Sequence, residues 1–286
     1  KETYAKSTMI NQKERIGYIK LPRFYADFSD REGRSSSKDM RKEVIKLKEA
    51  GMKSLVIDLR NNGGGSLSDV VKIVGLFIDQ GPVVQVKSYD KKSRILADKE
   101  KGIIWDGPIV VMINHGSASA SEILAAALQD YGRAIIVGSE QSFGKGTVQR
   151  MIDLDRIVSS NYADMKPLGA LKLTVEKFYR INGGATQLKG VESDIVLKNK
   201  YSYLEIGEKE RDHALEWDQI DKLKYTEVNA DFDIEKELKQ ITKRLSQDPV
   251  FKYINDKALE YKANKDDTKI PLELNKYTAE REEDEK

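Results

Sequence analysis

Ser54-Leu-Val-Ile-Asp-Leu-Arg60, which runs directly into Asn61-Asn-Gly-Gly-Gly65, is the stretch that decides the fold. An apolar run of this kind is typical of a strand buried on both faces, as in parallel sheets. The glycines end the strand, and helical spacing resumes from Leu67 to Asp79. A second buried run, Pro108 to Asn114, is followed by a helical pattern from Ser121 to Tyr131. This β-α-β-α order predicts an α/β fold with a mostly parallel sheet covered by helices.

Further elements are predicted on both sides of this centre. A helix is predicted over 38–50 and strands over 16–20, 83–88, 134–138, 147–154, 170–180 and 195–197. From about residue 201 the chain is highly charged and is predicted to be helical, with amphipathic helices over 234–245 and 250–263 and a frayed tail beyond 264. We therefore divide the chain into a core over residues 1–200 and a helical C-terminal extension over residues 201–286.

Composition excludes several classes of function. The net charge is +2, from 49 basic and 47 acidic residues, so nothing indicates nucleic acid as a partner. No run approaches the roughly 18 apolar residues of a membrane span, and no signal peptide is visible. The chain has no cysteine, which excludes disulfides, a thiolate nucleophile and cysteine-ligated metal.

A serine-rich turn and a lysine between two glycines carry the candidate chemistry. In Gly116-Ser-Ala-Ser-Ala-Ser-Glu122, Ser119 lies where a helix begins, and free N–H groups there suit an oxyanion. A serine becomes a nucleophile only when a base takes its proton. Because the chain has only two histidines, a desolvated lysine is the natural substitute, and Lys145 follows 26 residues after Ser119 in Phe143-Gly-Lys-Gly146. Without that lysine, the turn would be read simply as a helix cap.

Two more groups complete the hypothesis. Gln149 lies four residues after Lys145, on the predicted strand, and this even spacing allows its amide to orient the amine. Gly64 or Gly65, together with the N–H of Ala120, would form an oxyanion hole. Ordinary alternatives stay open at this point: a surface lysine, a solvated glutamine and a flexible glycine turn.

Other sites fit the sequence poorly. The glycines match neither the phosphate-loop pattern nor the dinucleotide-binding pattern, because Lys145 is followed by Gly146 and no glycine follows Gly65 at the required spacing. His115 is too close in sequence to Ser119 to serve readily as its base. His115 and His213 lie far apart, so no zinc site is predicted. No cofactor and no metal are expected.

Several motifs, in order, resemble the carboxyl-terminal processing proteases. They are Asp58-Leu-Arg-Asn-Asn-Gly-Gly-Gly65, Gly116-Ser-Ala-Ser-Ala-Ser-Glu122, Gln129-Asp-Tyr-Gly-Arg133 and Phe143-Gly-Lys-Gly-Thr-Val-Gln149. Later segments resemble the periplasmic, tail-specific branch of that family: Lys177-Phe-Tyr-Arg-Ile-Asn-Gly-Gly184, Thr186-Gln187, Lys189-Gly-Val191 and Asp194-Ile195.

The resemblance implies a serine endopeptidase, a hydrolase with a Ser-Lys dyad. Ser119 would be its nucleophile, Lys145 its general base and Gln149 the third member of the catalytic group. Asp130 lies at a position where the family also carries a functionally sensitive acidic residue, whose role is structural. The fold implied is similar to the crotonase–ClpP class, with additional strands and a helical extension. Many relatives carry a peptide-binding PDZ domain, and no segment here is similar to one, so the chain is read as a catalytic core without it.

The resemblance also implies partners and a compartment. Proteins or peptides with apolar free C-termini would be substrates, no cofactor would be needed, an adaptor protein is a candidate partner, and the location would be the periplasm. Two other classes stay open: a non-catalytic core of the same fold that binds peptide or another ligand, and an acyl-CoA enzyme with a similar oxyanion hole. A serine-reactive probe would distinguish the non-catalytic core from a protease, because a core that only binds should not be labelled at Ser119. Absence of CoA binding would count against the acyl-CoA enzyme.

Overall fold

A computed structural model of the protein describes residues 4–27, 30, 32–90, 93–158, 160–199, 201–228, 234–264 and 269–284. The strands in this part are β1 (Lys6–Asn11), β2 (Ile16–Lys20), β3 (Ser54–Asp58), β4 (Gly81–Ser88), β5 (Ser93–Asp98), β6 (Ile109–Ile113), β7 (Ile135–Gly138), β8 (Thr147–Asp153), β9 (Ala170–Tyr179) and β10 (Ile195–Val196). The α-helices are α1 (Ser36–Glu49), α2 (Leu67–Val74), α3 (Ala120–Asp130), α4 (Ile234–Gln247), α5 (Pro249–Asn264) and α6 (Leu274–Asp284).

The larger sheet has six strands in the order β1-β2-β3-β6-β7-β10. All neighbouring pairs are parallel except β1 with β2. The two apolar runs identified in the sequence, β3 and β6, are adjacent at its centre, where Leu55 is opposite Ile109 and Ile57 opposite Val111. All four side chains are buried. The predicted α/β fold with a mostly parallel sheet is therefore confirmed.

Three helices cover this sheet and bury their apolar faces in one core. Helix α2 packs against both α1 and α3. Helix α3 is the most deeply buried of the three: every residue from Ala120 to Leu128 is buried, so its small residues allow close packing. Because only the turn over residues 114–119 separates β6 from α3, the helix N-terminus lies near the carboxyl end of a central strand, the usual place for a site in an open α/β sheet.

A second, antiparallel sheet lies beside the first. Its order is β5-β4-β9-β8, so β8 is an edge strand. Residues 147–153 of β8 follow the glycine-flanked lysine directly, and a register shift between Val148 and Gln149 interrupts their pairing with β9. Such bulges bend a strand and change the direction of its side chains.

The predicted helical C-terminal end is confirmed by α4, α5 and α6, whereas the segment 201–228 differs from its predicted helical structure. Residues 201–228 contain a single 3-10 turn, Glu208–Glu210, and otherwise pack on the core without helix. Backbone hydrogen bonds hold this segment, from Ile220 N to Gly183 O and from Leu223 N to Ile181 O. Helices begin only at α4, and α6 forms where a frayed tail was expected. The boundary at residue 200 stays a prediction.

No helix in the described ranges is long and apolar enough to cross a membrane.

Candidate active site

Ser119 lies in a sharp turn between β6 and α3. Its backbone has φ 57° and ψ −112°, a conformation that residues with a side chain seldom adopt. Hydrogen bonds on both sides hold the turn in place: Ala118 N donates to Asn62 O at 3.0 Å, and Ser119 N donates to the Glu122 carboxylate at 2.6 Å. The strained turn leaves Ser119 partly exposed at the helix N-terminus.

The glycine turn after β3 is bound tightly to the serine turn. Asn62 is fully buried and accepts the Ser121 hydroxyl on its backbone oxygen at 2.8 Å. Gly64 has φ 99°, and a Cβ at this position would lie 2.8 Å from both the Ala118 oxygen and the Ser119 Cβ. Only glycine lets the two turns approach this closely.

The two glycines named for the oxyanion hole are not equivalent. Gly64 N already donates to Asn62 Oδ1 at 2.9 Å. In the neighbouring bridge, Phe24 N donates to Gly64 O and Ser66 N to Phe24 O. Phe24 is thus bonded by the groups on either side of Gly65 and not by the Gly65 N–H. Gly65 is exposed and borders the same cleft as Ala120.

Lys145 reaches the cleft from the loop before β8. Its Nζ donates to Gln149 Oε1 at 3.0 Å, which places the lysine and glutamine on one side as the even spacing predicted. Half-burial lowers the pKa of Lys145, and the nearby Lys172 lowers it further. A lysine with a lowered pKa spends more time as the neutral amine, the form that accepts a proton.

Glu122 joins the turn that carries Ser119 to the loop from Ser142 to Lys145, which we call the lysine loop. This role of Glu122 was not predicted from the sequence. Its fully buried carboxylate accepts four hydrogen bonds, two on each oxygen. The donors are Ser142 Oγ (2.6 Å) and Gly144 N (2.7 Å) on Oε1, and Ser119 N (2.6 Å) and Lys145 N (3.0 Å) on Oε2. Burial raises the pKa of Glu122 to about 7, although these donors favour the ionised form.

The cleft between these groups has a volume of about 690 Å³. Ser119, Ala120, Gly65, Lys145 and Gln149 all line it. The rest of the wall is mixed: apolar side chains such as Leu67, Val148 and Met151 lie beside the charged side chains of Arg23 and Lys172. The structure thus brings five of the sequence-predicted residues together around one cleft, and Gly64 packs against the turn that carries Ser119.

Asp130 is the one predicted residue that lies apart from the cleft. It ends α3, about 16 Å along the helix from Ser119 at 1.5 Å per residue. Its carboxylate accepts from Arg180 at 2.6 and 3.1 Å and from Asn182 Nδ2 at 2.9 Å. The Asp130 side chain is 5% exposed and that of Arg180 18% exposed. The contacts therefore fasten α3 to the segment after β9.

Replacing Asp130 by alanine is expected to lower the free energy of unfolding by about 3 kcal/mol, because the Arg180 charge is left without its partner in a mostly buried place. Denaturant unfolding measures this. Glu100→Gln, which breaks the exposed ion pair with Arg41, is the matched control and should cost less than about 1 kcal/mol. An Asp130→Ala loss as small as the control's would contradict the structural role.

Within the described ranges, no group of three or more His, Cys, Asp or Glu side chains is placed to hold a metal ion. His115 lies partly buried, and both of its ring nitrogens are buried without a hydrogen-bond partner. Burial lowers its pKa, and no contact joins it to Ser119 in the described part of the chain.

Comparison with known proteins gives a consistent result. A model of Peptidase family S41 matches residues 15–197, and a model of the C-terminal domain of tail specific protease matches residues 201–286. The chain is 39% identical over 273 residues to the tail-specific protease of Haemophilus influenzae, across 94% of this chain and 38% of that protein. It is 38% identical over 185 residues to the carboxy-terminal-processing protease of Bartonella bacilliformis, across 64% of this chain and 39% of that protein.

A solved structure shows the same architecture. The photosystem II D1 C-terminal processing protease superposes with a TM-score of 0.53 at 29% identity, across 64% of this chain and 42% of that chain. The chain thus spans about two fifths of the length of the curated relatives it matches.

Proposed function

Since this chain belongs to peptidase family S41, we propose that it is a serine endopeptidase of the carboxyl-terminal processing, tail-specific type, with Ser119 as nucleophile and Lys145 as general base. One observation carries the proposal: a half-buried lysine with a lowered pKa, held by Gln149, lines the same cleft as a serine in a strained turn. These are the features that an activated serine requires.

The reaction would be acyl transfer in two steps. Neutral Lys145 takes the proton of the Ser119 hydroxyl as the oxygen attacks a peptide carbonyl, and the resulting lysinium protonates the leaving amine. Lys145 then removes a proton from water, which attacks the acyl-enzyme and releases Ser119. Gln149 accepts a hydrogen bond from Nζ throughout and so keeps the amine directed into the cleft.

The oxyanion of the tetrahedral intermediate would bind to the N–H groups of Ala120 and Gly65. Ala120 begins α3, so its N–H lies where the helix dipole favours negative charge. Gly65 is preferred over Gly64 because the Gly64 N–H is already bonded to Asn62. Gly64 instead serves by its lack of a Cβ, which permits the close contact with Ser119.

Substrates would be proteins or peptides with apolar free C-termini. The apolar side chains that line the cleft with exposed surface, Leu67, Val148 and Met151, support an apolar segment beside Ser119. The match to the C-terminal domain of tail specific protease supports the same class. A periplasmic location and an adaptor protein as partner are further proposals, and they rest only on the resemblance to the tail-specific branch of the family.

A fluorophosphonate probe tests the nucleophile directly. The protein is expected to take up one label on Ser119, identified by peptide mass spectrometry, and Ser119→Ala is expected to take up none. Ser117→Ala is the matched control within the same turn, since the Ser117 hydroxyl is fully buried and bonded to Leu59 O. Labelling that persists in Ser119→Ala would disprove the assignment, and an unlabelled wild-type protein would favour a core that binds peptide without cleaving it.

A further inference from the structure

The turn Gly207–Arg211 contacts the lysine loop from outside the S41 match. It belongs to the segment that matches the C-terminal domain. Glu208 N donates to Phe143 O at 2.8 Å, two residues before Lys145. Gly207 lies close to the same oxygen: a Cβ added at this position would be 3.0 Å from Phe143 O, and the Gly207 backbone has φ 154°. The contact is therefore built for a residue without a side chain at position 207.

Charged side chains of the turn also face this loop. The Arg211 guanidinium lies 5.3 Å from the centre of the Phe143 ring, within cation–π range. It forms an ion pair with Glu208 at 3.5 Å. Glu208 is only 8% exposed, and its Oε2 is buried without a hydrogen bond. A carboxylate placed in this way has few solvent molecules to screen it, so its charge acts on its surroundings.

We propose that the turn Gly207–Arg211 positions the lysine loop, the loop from Ser142 to Lys145. The turn fixes the Phe143 carbonyl through the N–H of Glu208, and the charges of Glu208 and Arg211 set the balance of charge around Lys145. The inference rests on the proposed function in taking Lys145 as the base. Glu208 and Arg211 are positioning residues, since neither lines the cleft.

The two charged residues of the turn have opposite effects on the pKa of Lys145. Glu208 raises the pKa of Lys145 and Arg211 lowers it, beyond the larger effect of burial. The other charges that act on the amine are Lys172 on β9, which lowers its pKa, and Glu122 on α3, which raises it. Because Glu208 and Arg211 act in opposite directions, removing one or the other should move the titration of Lys145 in opposite directions.

The pKa of Lys145 can be measured without any proteolysis. The protein is treated with acetic anhydride at a series of pH values, and mass spectrometry of the peptide containing Lys145 gives the rate of modification. Glu208→Gln is expected to move the titration down by about 0.5 pH unit and Arg211→Gln to move it up by a similar amount, the size expected for one charge acting through partly solvated protein. Glu210→Gln, an exposed site in the same turn, should leave it unchanged.

Glu208→Pro separates the hydrogen bond from the charge. This substitution removes both the carboxylate and the N–H that donates to Phe143 O. Lys145 should therefore titrate as it does in Glu208→Gln, while kcat should be about tenfold lower than in Glu208→Gln. Unshifted titration in both Glu208→Gln and Arg211→Gln would overturn the proposal. A wild-type protein that cleaves nothing but shows the two opposite shifts would refute the proposed function and leave the positioning role standing.

Discussion

Replacing Lys145 by alanine is expected to lower kcat/KM at least about 10³-fold while leaving the fold intact. A general base contributes roughly 10² to 10⁴ to the rate, and without it the Ser119 hydroxyl keeps its proton. Among the described residues, the Lys145 amine makes one hydrogen bond, to the exposed Gln149, so its removal should lower the melting temperature little. Cleavage of a protein that ends in an apolar tail measures the loss.

Lys145→Arg distinguishes a base from a cation. Arginine keeps the positive charge and most of the length, but its guanidinium does not lose a proton in proteins. It is therefore expected to be as inactive as alanine. The double variant Ser119→Ala with Lys145→Ala should be no slower than either single variant, since the two residues act as a unit. Near-normal cleavage by Lys145→Arg would show that the lysine is not the base.

The pH dependence of the wild-type enzyme follows from the same assignment. Because neutral Lys145 is the active form, kcat/KM should rise with pH through the pKa of Lys145, which burial holds below the ordinary lysine value of 10.5. Lys172→Gln removes a like charge from the same cleft and raises that pKa. Its profile should move to higher pH with the maximal rate kept, which separates an effect on titration from loss of the base.

The central strands and helices could be predicted from the sequence because each is encoded by a short, local pattern of residues. Buried strands such as β3 and β6 show as unbroken apolar runs, and the helix after Ser119 follows directly from its capping turn. Strands β1 and β5 were not predicted. Both lie at sheet edges with mostly exposed or partly exposed side chains, and each pairs only with the strand next to it along the chain, so neither leaves a clear apolar pattern.

The region 201–228 and the role of Glu122 were missed for a related reason. The segment is held by backbone hydrogen bonds, for example from Leu223 N to Ile181 O, and by side-chain bonds such as Trp217 Nε1 to Ala185 O, all with partners far away in sequence. Glu122 did carry a signal, the Ser-x-x-Glu spacing of a capping box after Ser119. That spacing accounts for one of its four donors. The other three come from the loop of Ser142 to Lys145, which only the fold brings to it.

Replacing Glu122 by glutamine should damage activity, because both oxygens of the carboxylate accept hydrogen bonds from two donors each. Three of the four donors are backbone N–H groups, which cannot reverse. A glutamine must direct its NH₂ group at one pair of them, Ser119 and Lys145 or Ser142 and Gly144. At least one buried N–H then faces another donor and is forced away from it.

The same conflict should separate the serine turn from the lysine loop. We expect Glu122→Gln to lose about 10²-fold in kcat/KM at pH 8, mostly in kcat, since misplacement of reacting groups by about 1 Å has an effect of this size. Glu140→Gln, an exposed change in the neighbouring loop, is the matched control and should alter neither activity nor stability. Wild-type kcat in Glu122→Gln would contradict the role of the carboxylate.

The pH dependence of stability provides a second measurement on Glu122. Its folded-state pKa is raised from 4.5 to about 7, so the folded protein binds this proton more tightly than the unfolded chain does. The resulting stabilisation is complete below pH 4.5 and is lost as the pH rises through about 7. Denaturant unfolding of the wild type should show this fall between pH 5 and pH 8, and Glu122→Gln, with no proton to lose, should show less of it. Equal slopes in the two proteins would mean that the carboxylate does not titrate in this range.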